Sequence, residues 1–72
     1  MESELRLTPE ERELLIEAVA EKIRKIEGHI AYDRRIIEAY RTGVKIHRKN
    51  IERYEQDRKR YTDLLERLKR TD

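Results

Sequence analysis

The chain of 72 residues has no cysteine, no tryptophan and no phenylalanine, and it contains only two glycines and one proline. Without cysteine, neither disulfides nor thiolate metal sites can stabilise so small a domain. A chain of this length also has difficulty burying enough surface to hold its fold alone. We therefore expect regular helix packing and oligomerisation to supply the stability.

Long apolar runs are absent as well. The longest, Leu14-Leu15-Ile16, is far shorter than the roughly 20 residues that a membrane span requires. No signal-peptide pattern opens the chain. These features predict a soluble, cytoplasmic protein that has no membrane partner.

Charge is plentiful, and its two signs are unevenly distributed. Charged residues make up 47% of the chain, and the net charge is only +2. Residues 1–40 carry seven basic and ten acidic side chains, whereas residues 41–72 carry eleven and six. An acidic and a basic half attract each other when laid antiparallel, within one molecule or between two copies.

Apolar residues recur at alternating steps of three and four from Ile16 onward, as in a heptad repeat. With Ile16 at position a, thirteen of the sixteen a and d positions are apolar or tyrosine. This pattern is typical of long amphipathic helices packed in a coiled-coil manner, and it excludes strands. The seam residues are Ile16, Val19, Ile23, Ile26, Ile30, Asp33, Ile37, Tyr40, Val44, His47, Ile51, Tyr54, Arg58, Tyr61, Leu65 and Leu68.

A helix start is encoded at Thr8-Pro9-Glu10-Glu11. Threonine suits the N-cap, proline suits the first helical position, and a glutamate three residues after the threonine closes a capping box. Residues 1–7 are therefore predicted to form a flexible N-terminal arm, and residues 8–70 a single helical domain.

Thr42-Gly43 is the main candidate for a break in this helical domain, because glycine can adopt the left-handed conformation that ends a helix. A turn here predicts a helix over 8–41, a turn near 42–43 and a helix over 44–70. The fold class is then an all-α, antiparallel helical hairpin that dimerises to a four-helix bundle. The alternative is one continuous long helix in an antiparallel coiled-coil dimer, because the heptad phase continues unshifted through the glycine.

A second apolar stripe lies beside the main seam, at steps of four, three, four and three. The small residues within it would permit close approach of another backbone. The first interpretation is a homodimer interface that completes the four-helix bundle, and the second is a docking surface for another helical protein. The stripe consists of Tyr32, Ile36, Ala39, Gly43 and Ile46.

Three polar residues, Asp33, His47 and Arg58, occupy seam positions. Such residues often fix the register and partner number of a coiled coil at some cost in stability. Asp33 and His47 fall in neighbouring layers, where they could form a hydrogen-bonded cluster with Tyr40 and Tyr54. Since no nucleophile with a base and no glycine-rich phosphate loop is present, we predict no catalytic residues and no enzyme.

His29 and Asp33 lie four residues apart, a spacing that would let both reach one metal ion. Two ligands do not make a tight site, and the Glu-x-x-His motif of di-metal bundles is missing. We predict neither a metal nor a cofactor.

The segment 41–60 is rich in basic residues, and helical spacing aligns Lys45, Lys49, Arg53 and Arg60 along one outer face. Such a track could contact phosphates. The competing interpretation is an ordinary solvated helix face that is held by pairs of opposite charge four residues apart.

Together these features predict a non-enzymatic protein-interaction or assembly module, whose partner is a second copy of itself or another helical protein. A nucleic-acid-binding protein that uses the basic 41–60 segment is the alternative from a different class. A designed or idealised helical scaffold is a third interpretation, because the heptads are regular and loops are nearly absent.

Overall fold

The computed structural model describes residues 6–41 and 43–70. Residues 1–5 of the predicted arm and Thr42 of the predicted turn lie outside the described residues. Helix α1 spans Pro9–Tyr40 and helix α2 spans Val44–Arg70. The two helices pack against each other, so the predicted helical hairpin is confirmed. The longest dimension is 48 Å, about half the roughly 95 Å that the alternative continuous helix would require.

The capping box at the start of α1 is present. The Thr8 side-chain oxygen accepts a hydrogen bond from the Glu11 backbone N–H at 3.0 Å, and the Glu11 carboxylate accepts one from the Thr8 backbone N–H at 3.0 Å. Both donors would otherwise lack partners at the helix end. Pro9 occupies the first helical position, where its missing N–H costs nothing.

The helices meet along the heptad seam. Val19, Ile26 and Ile30 are buried and form the apolar core, and Asp33 is buried beside them. Tyr40 is the exception among the seam positions, because its side chain is exposed. All other seam residues are half-buried: Ile16, Ile23, Ile37, Val44, His47, Ile51, Tyr54, Arg58, Tyr61, Leu65 and Leu68.

Two residues with positive φ flank the connection between the helices. Arg41 caps α1 in the left-handed conformation, with φ 58°, and its backbone N–H donates to the Ile37 carbonyl at 3.1 Å. Gly43, with φ 64°, accepts from the His47 backbone N–H at 3.0 Å and so begins α2. The left-handed residue that caps α1 is therefore an arginine, whereas glycine supplies the second left-handed position.

Contacts between the helices define two sides of the seam. On one side, Arg34 pairs with Glu55 at 3.0 Å, and these residues both follow a d position directly. On the other side His29, which directly precedes an a position, stacks on Tyr54 with ring centroids 5.0 Å apart. Lys22 occupies the same heptad position as His29 and lies over the ring of Tyr61.

No helix in the part of the chain that the structure describes is both long enough and apolar enough to cross a membrane.

Candidate interaction face

The predicted apolar stripe lies largely at the surface of the hairpin. Tyr32 is 59% exposed and Ile46 is 66% exposed. Ala39 and Gly43 are also exposed, and Ile36 is half-buried. In a hairpin these residues lie near the connection between the helices, because the stripe ends α1 and begins α2. The uncovered apolar side chains form a surface that another helix could cover.

Two further leucines extend this surface towards the open end of the hairpin. Leu15 is 41% exposed and Leu64 is 39% exposed. Both directly precede an a position, as His29 and Lys22 do, and they therefore lie on the side of the seam where those two residues contact α2. The stripe predicted from the sequence leaves out Leu15 and Leu64. Their heptad positions, directly before a positions, indicate that they lie on the same side of the seam as the stripe.

We define the interaction face as the residues directly before each a position and directly before each d position. On the antiparallel hairpin these positions of α1 and α2 lie on one side, because the residues that follow d positions meet on the other. Between Leu15 and Arg67 the face comprises Leu15, Ala18, Lys22, Lys25, His29, Tyr32, Ile36, Ala39, Gly43, Ile46, Asn50, Arg53, Asp57, Arg60, Leu64 and Arg67.

The opposite side, the polar face, contains the residues directly after each a position and directly after each d position. Its largest apolar residue is alanine, and acidic and basic side chains are balanced along it. The large exposed apolar side chains next to the seam therefore belong to the interaction face alone. Between Glu17 and Glu66 the polar face comprises Glu17, Ala20, Arg24, Glu27, Ala31, Arg34, Glu38, Arg41, Lys45, Arg48, Glu52, Glu55, Lys59, Thr62 and Glu66.

The four candidate phosphate contacts are all exposed on α2. Arg60 lies 3.8 Å from the Asp57 carboxylate, whereas Lys45, Lys49 and Arg53 form no ion pair with the other described residues. Lys45 and Lys49 line an open groove around the exposed Ile46 side chain. Arg53 and Arg60 belong to the interaction face, Lys45 belongs to the polar face, and Lys49 lies outside both faces. The four candidate phosphate contacts therefore do not share one face of the hairpin.

The polar seam residues find partners across the hairpin. The Asp33 carboxylate lies 2.8 Å from the His47 ring Nδ1, and the Asp33 side chain is only 8% exposed. Arg58 lies 4.0 Å from the Glu27 carboxylate. Within the described residues no tyrosine joins the Asp33 and His47 pair, because Tyr54 stacks on His29 and Tyr40 is exposed. The proposed cluster therefore reduces to one pair.

The two candidate metal ligands, His29 and Asp33, contact different residues of α2. His29 stacks on Tyr54, while Asp33 binds His47. Among the described residues no group of three histidine, aspartate or glutamate side chains could hold a metal ion. The geometry at these residues is that of helix packing.

Comparison of the chain with protein-family models, with curated proteins and with solved structures found no match.

Proposed function

We propose that the protein is a non-enzymatic protein-interaction or assembly module, which packs its interaction face against helices of another chain. The observation that carries this proposal is the contrast between the two faces. Tyr32 and Ile46 are more than half exposed on one face, while the polar face bears no apolar side chain larger than alanine. Exposed apolar side chains gathered on one side of a hairpin are typical of a surface that binds another protein.

The small core supports association. Among the described residues the buried apolar side chains are Val19, Ile26 and Ile30, which is little for a domain with two long helices. Covering exposed apolar surface stabilises by about 25 cal/mol for each Å². A partner on the interaction face would therefore add to the stability of the hairpin itself.

The simplest partner is a second copy, so that two hairpins form a homodimeric four-helix bundle. Tyr32, Ile36, Ala39, Gly43 and Ile46 are the interface residues that we assign to this dimer. The uncharged end of the interaction face can meet its own copy without opposing like charges.

Sedimentation equilibrium over a range of concentrations tests this form of the proposal. We expect the parent chain to exceed the monomer mass as concentration rises, and Ile46→Lys to stay monomeric at the same concentrations. Leu14→Lys is the matched control, because Leu14 and Ile46 are both 66% exposed. Leu14 belongs to neither the interaction face nor the polar face and lies on the outer side of α1, away from the seam. Equal masses for the two variants would contradict self-association through this face.

Nucleic-acid binding is a second candidate, supported by Lys45, Lys49 and Arg53, which are exposed and form no ion pair with the other described residues. Such binding would weaken steeply with salt, because phosphate contacts release counterions. Ile46→Lys would not weaken such binding, because it adds a cation beside Lys45 and Lys49. A designed or idealised scaffold is a third proposal, supported by the regular heptads and the capping box.

A further inference from the structure

We propose that the interaction face takes an acidic amphipathic helix in preference to a second copy of this chain. This inference rests on the proposed function and names the class of partner for the same face. Its basis is the order in which apolar and cationic residues follow one another along the face.

Apolar residues lie at both ends of the interaction face. Tyr32, Ile36 and Ile46 form a cluster near the connection, and Leu15 and Leu64 form another near the open end of the hairpin. Because α2 runs antiparallel to α1, the residues late in α2 lie beside those early in α1. A helix laid along the face would therefore contact one apolar cluster near each of its ends.

Cations occupy the stretch between these clusters, which we call the cationic waist: Lys22, Lys25, Arg53 and Arg60. Asp57 is the one acid of the face between Leu15 and Arg67, and it already lies 3.8 Å from the Arg60 guanidinium. Lys25 and Arg53 form no ion pair with the described residues. Glu21 interacts electrostatically with Lys25, and Asp57 lies beside Arg60, so the described residues offset part of this charge. The four cations of the waist outnumber these acids, and the waist therefore keeps a net positive charge.

A second copy fits this charge pattern poorly. If two interaction faces meet over their whole length, the waist of one copy lies on the waist of the other, whether the copies run parallel or antiparallel. Like charges brought together in a partly dehydrated interface oppose association. Self-association is therefore confined to the uncharged end of the face, or it is weakened by repulsion at the waist.

An acidic amphipathic helix satisfies both features of the face. Its apolar side chains cover the two clusters, and glutamates beside its apolar stripe pair with Lys25 and Arg53 at the waist. The face extends from Leu15 to Ala39 along α1, about 36 Å at 1.5 Å per residue, so a helix of about 25 residues spans it. Charge complementarity of this kind selects the acidic partner against neutral and basic ones.

Fluorescence anisotropy with labelled synthetic helices tests the inference. The probe is a helix of about 25 residues with leucine at its a and d positions and glutamate at the flanking positions, a length that matches the face. The matched control peptide carries glutamine in place of every glutamate. We expect the acidic helix to bind at least tenfold more tightly at low salt, and its advantage to shrink as salt rises. Self-association of the chain should instead strengthen with salt, because salt screens repulsion at the waist.

Two double variants with the same change in charge locate the effect. Lys25→Glu with Arg53→Glu reverses charge at the waist and should abolish the preference for the acidic helix. Arg24→Glu with Lys59→Glu places the same charges on the polar face, where both parent residues are exposed, and should retain the preference. Circular dichroism of each variant establishes that the hairpin is folded.

The outcomes separate this inference from the proposed function. The neutral variant Ile46→Gln removes apolar contact without adding charge. If both peptides bind equally and Ile46→Gln weakens both, the interaction module stands and the preference for an acidic partner is overturned. If Ile46→Gln weakens neither peptide, the proposed function itself fails. The third outcome is that a single-stranded oligonucleotide displaces the acidic helix and that both double variants weaken the binding of the oligonucleotide to the same extent. In that case the partner is a nucleic acid, and the inference is overturned.

Discussion

At the scale of single residues, the contact between Asp33 and His47 involves the one buried charged side chain of the described residues. The carboxylate is nearly inaccessible to water and lies 2.8 Å from the imidazole. A buried polar group is costly when its partner is removed, although an apolar pair of similar volume can be equally stable or more stable.

We therefore expect His47→Leu to destabilise the hairpin by about 3 kcal/mol, because it leaves the Asp33 carboxylate buried and unpaired. The double variant Asp33→Leu with His47→Leu should recover most of this loss. Urea unfolding of the parent, the two single variants and the double variant measures the coupling. Additive losses in the double variant would mean that the two side chains act independently.

Exposed ion pairs have much smaller consequences. The hydrogen bond from Arg24, together with its positive charge, holds the pKa of the Glu21 carboxyl below its usual value. Any stability that results is fully present at a pH above the pKa that the Glu21 carboxyl has in the unfolded chain. This stability is lost as the pH falls through the lower pKa that the same carboxyl has in the folded chain. Because both side chains are largely exposed, solvent screening leaves this contribution small.

Part of the residue-scale detail could be predicted from the sequence. The heptad placed Asp33 and His47 in neighbouring layers, and the structure joins them. The stacking of His29 on Tyr54 was not predicted, because it depends on side-chain rotamers that spacing does not determine. For the same reason, the spacing could not show that Tyr40 and Tyr54 lie apart from the Asp33 and His47 pair: Tyr54 stacks on His29, and Tyr40 is exposed.

At the scale of the helices, the chain bears its clearest local signals at the start of α1 and at the connection. The capping box formed as predicted because every member is local in sequence. The residue that ends α1 was harder to predict, since arginine rarely adopts the left-handed conformation that Arg41 shows. The adjacent Thr42-Gly43 signal pointed to the right region but not to the residue that caps the helix.

Two substitutions at the connection should have opposite effects. Gly43→Ala should destabilise by about 1 kcal/mol, because a Cβ is unfavourable at φ 64°. The added Cβ itself has room, since the nearest His47 side-chain atom would lie 3.5 Å away.

Arg41→Gly should instead raise the melting temperature by a few degrees, since it relieves a non-glycine residue at φ 58°. Thermal unfolding followed by circular dichroism measures both changes. A stabilising Gly43→Ala would show that the connection has another backbone conformation.

At the scale of the whole molecule, the hairpin and its seam could be predicted because one regular pattern covers nearly the whole chain. The interaction face was predicted only at the end that contains Tyr32 and Ile46. Towards the open end the charged Lys22 and Lys25 interrupt the apolar pattern. The pattern alone therefore does not predict that Leu15 and Leu64 share one surface. Their common side became evident once the contacts of His29 and Lys22 with α2 had fixed which positions lie together.

We propose that partners bind one side of the hairpin, and alanine methyl NMR tests this proposal most directly. The exposed Ala18 and Ala39 lie on the interaction face, whereas Ala20 and Ala31 lie on the polar face. When the chain associates with itself or with an acidic helix, we predict that the methyl signals of Ala18 and Ala39 shift while those of Ala20 and Ala31 stay in place. Larger shifts at Ala20 and Ala31, or equal shifts at all four, would contradict the account.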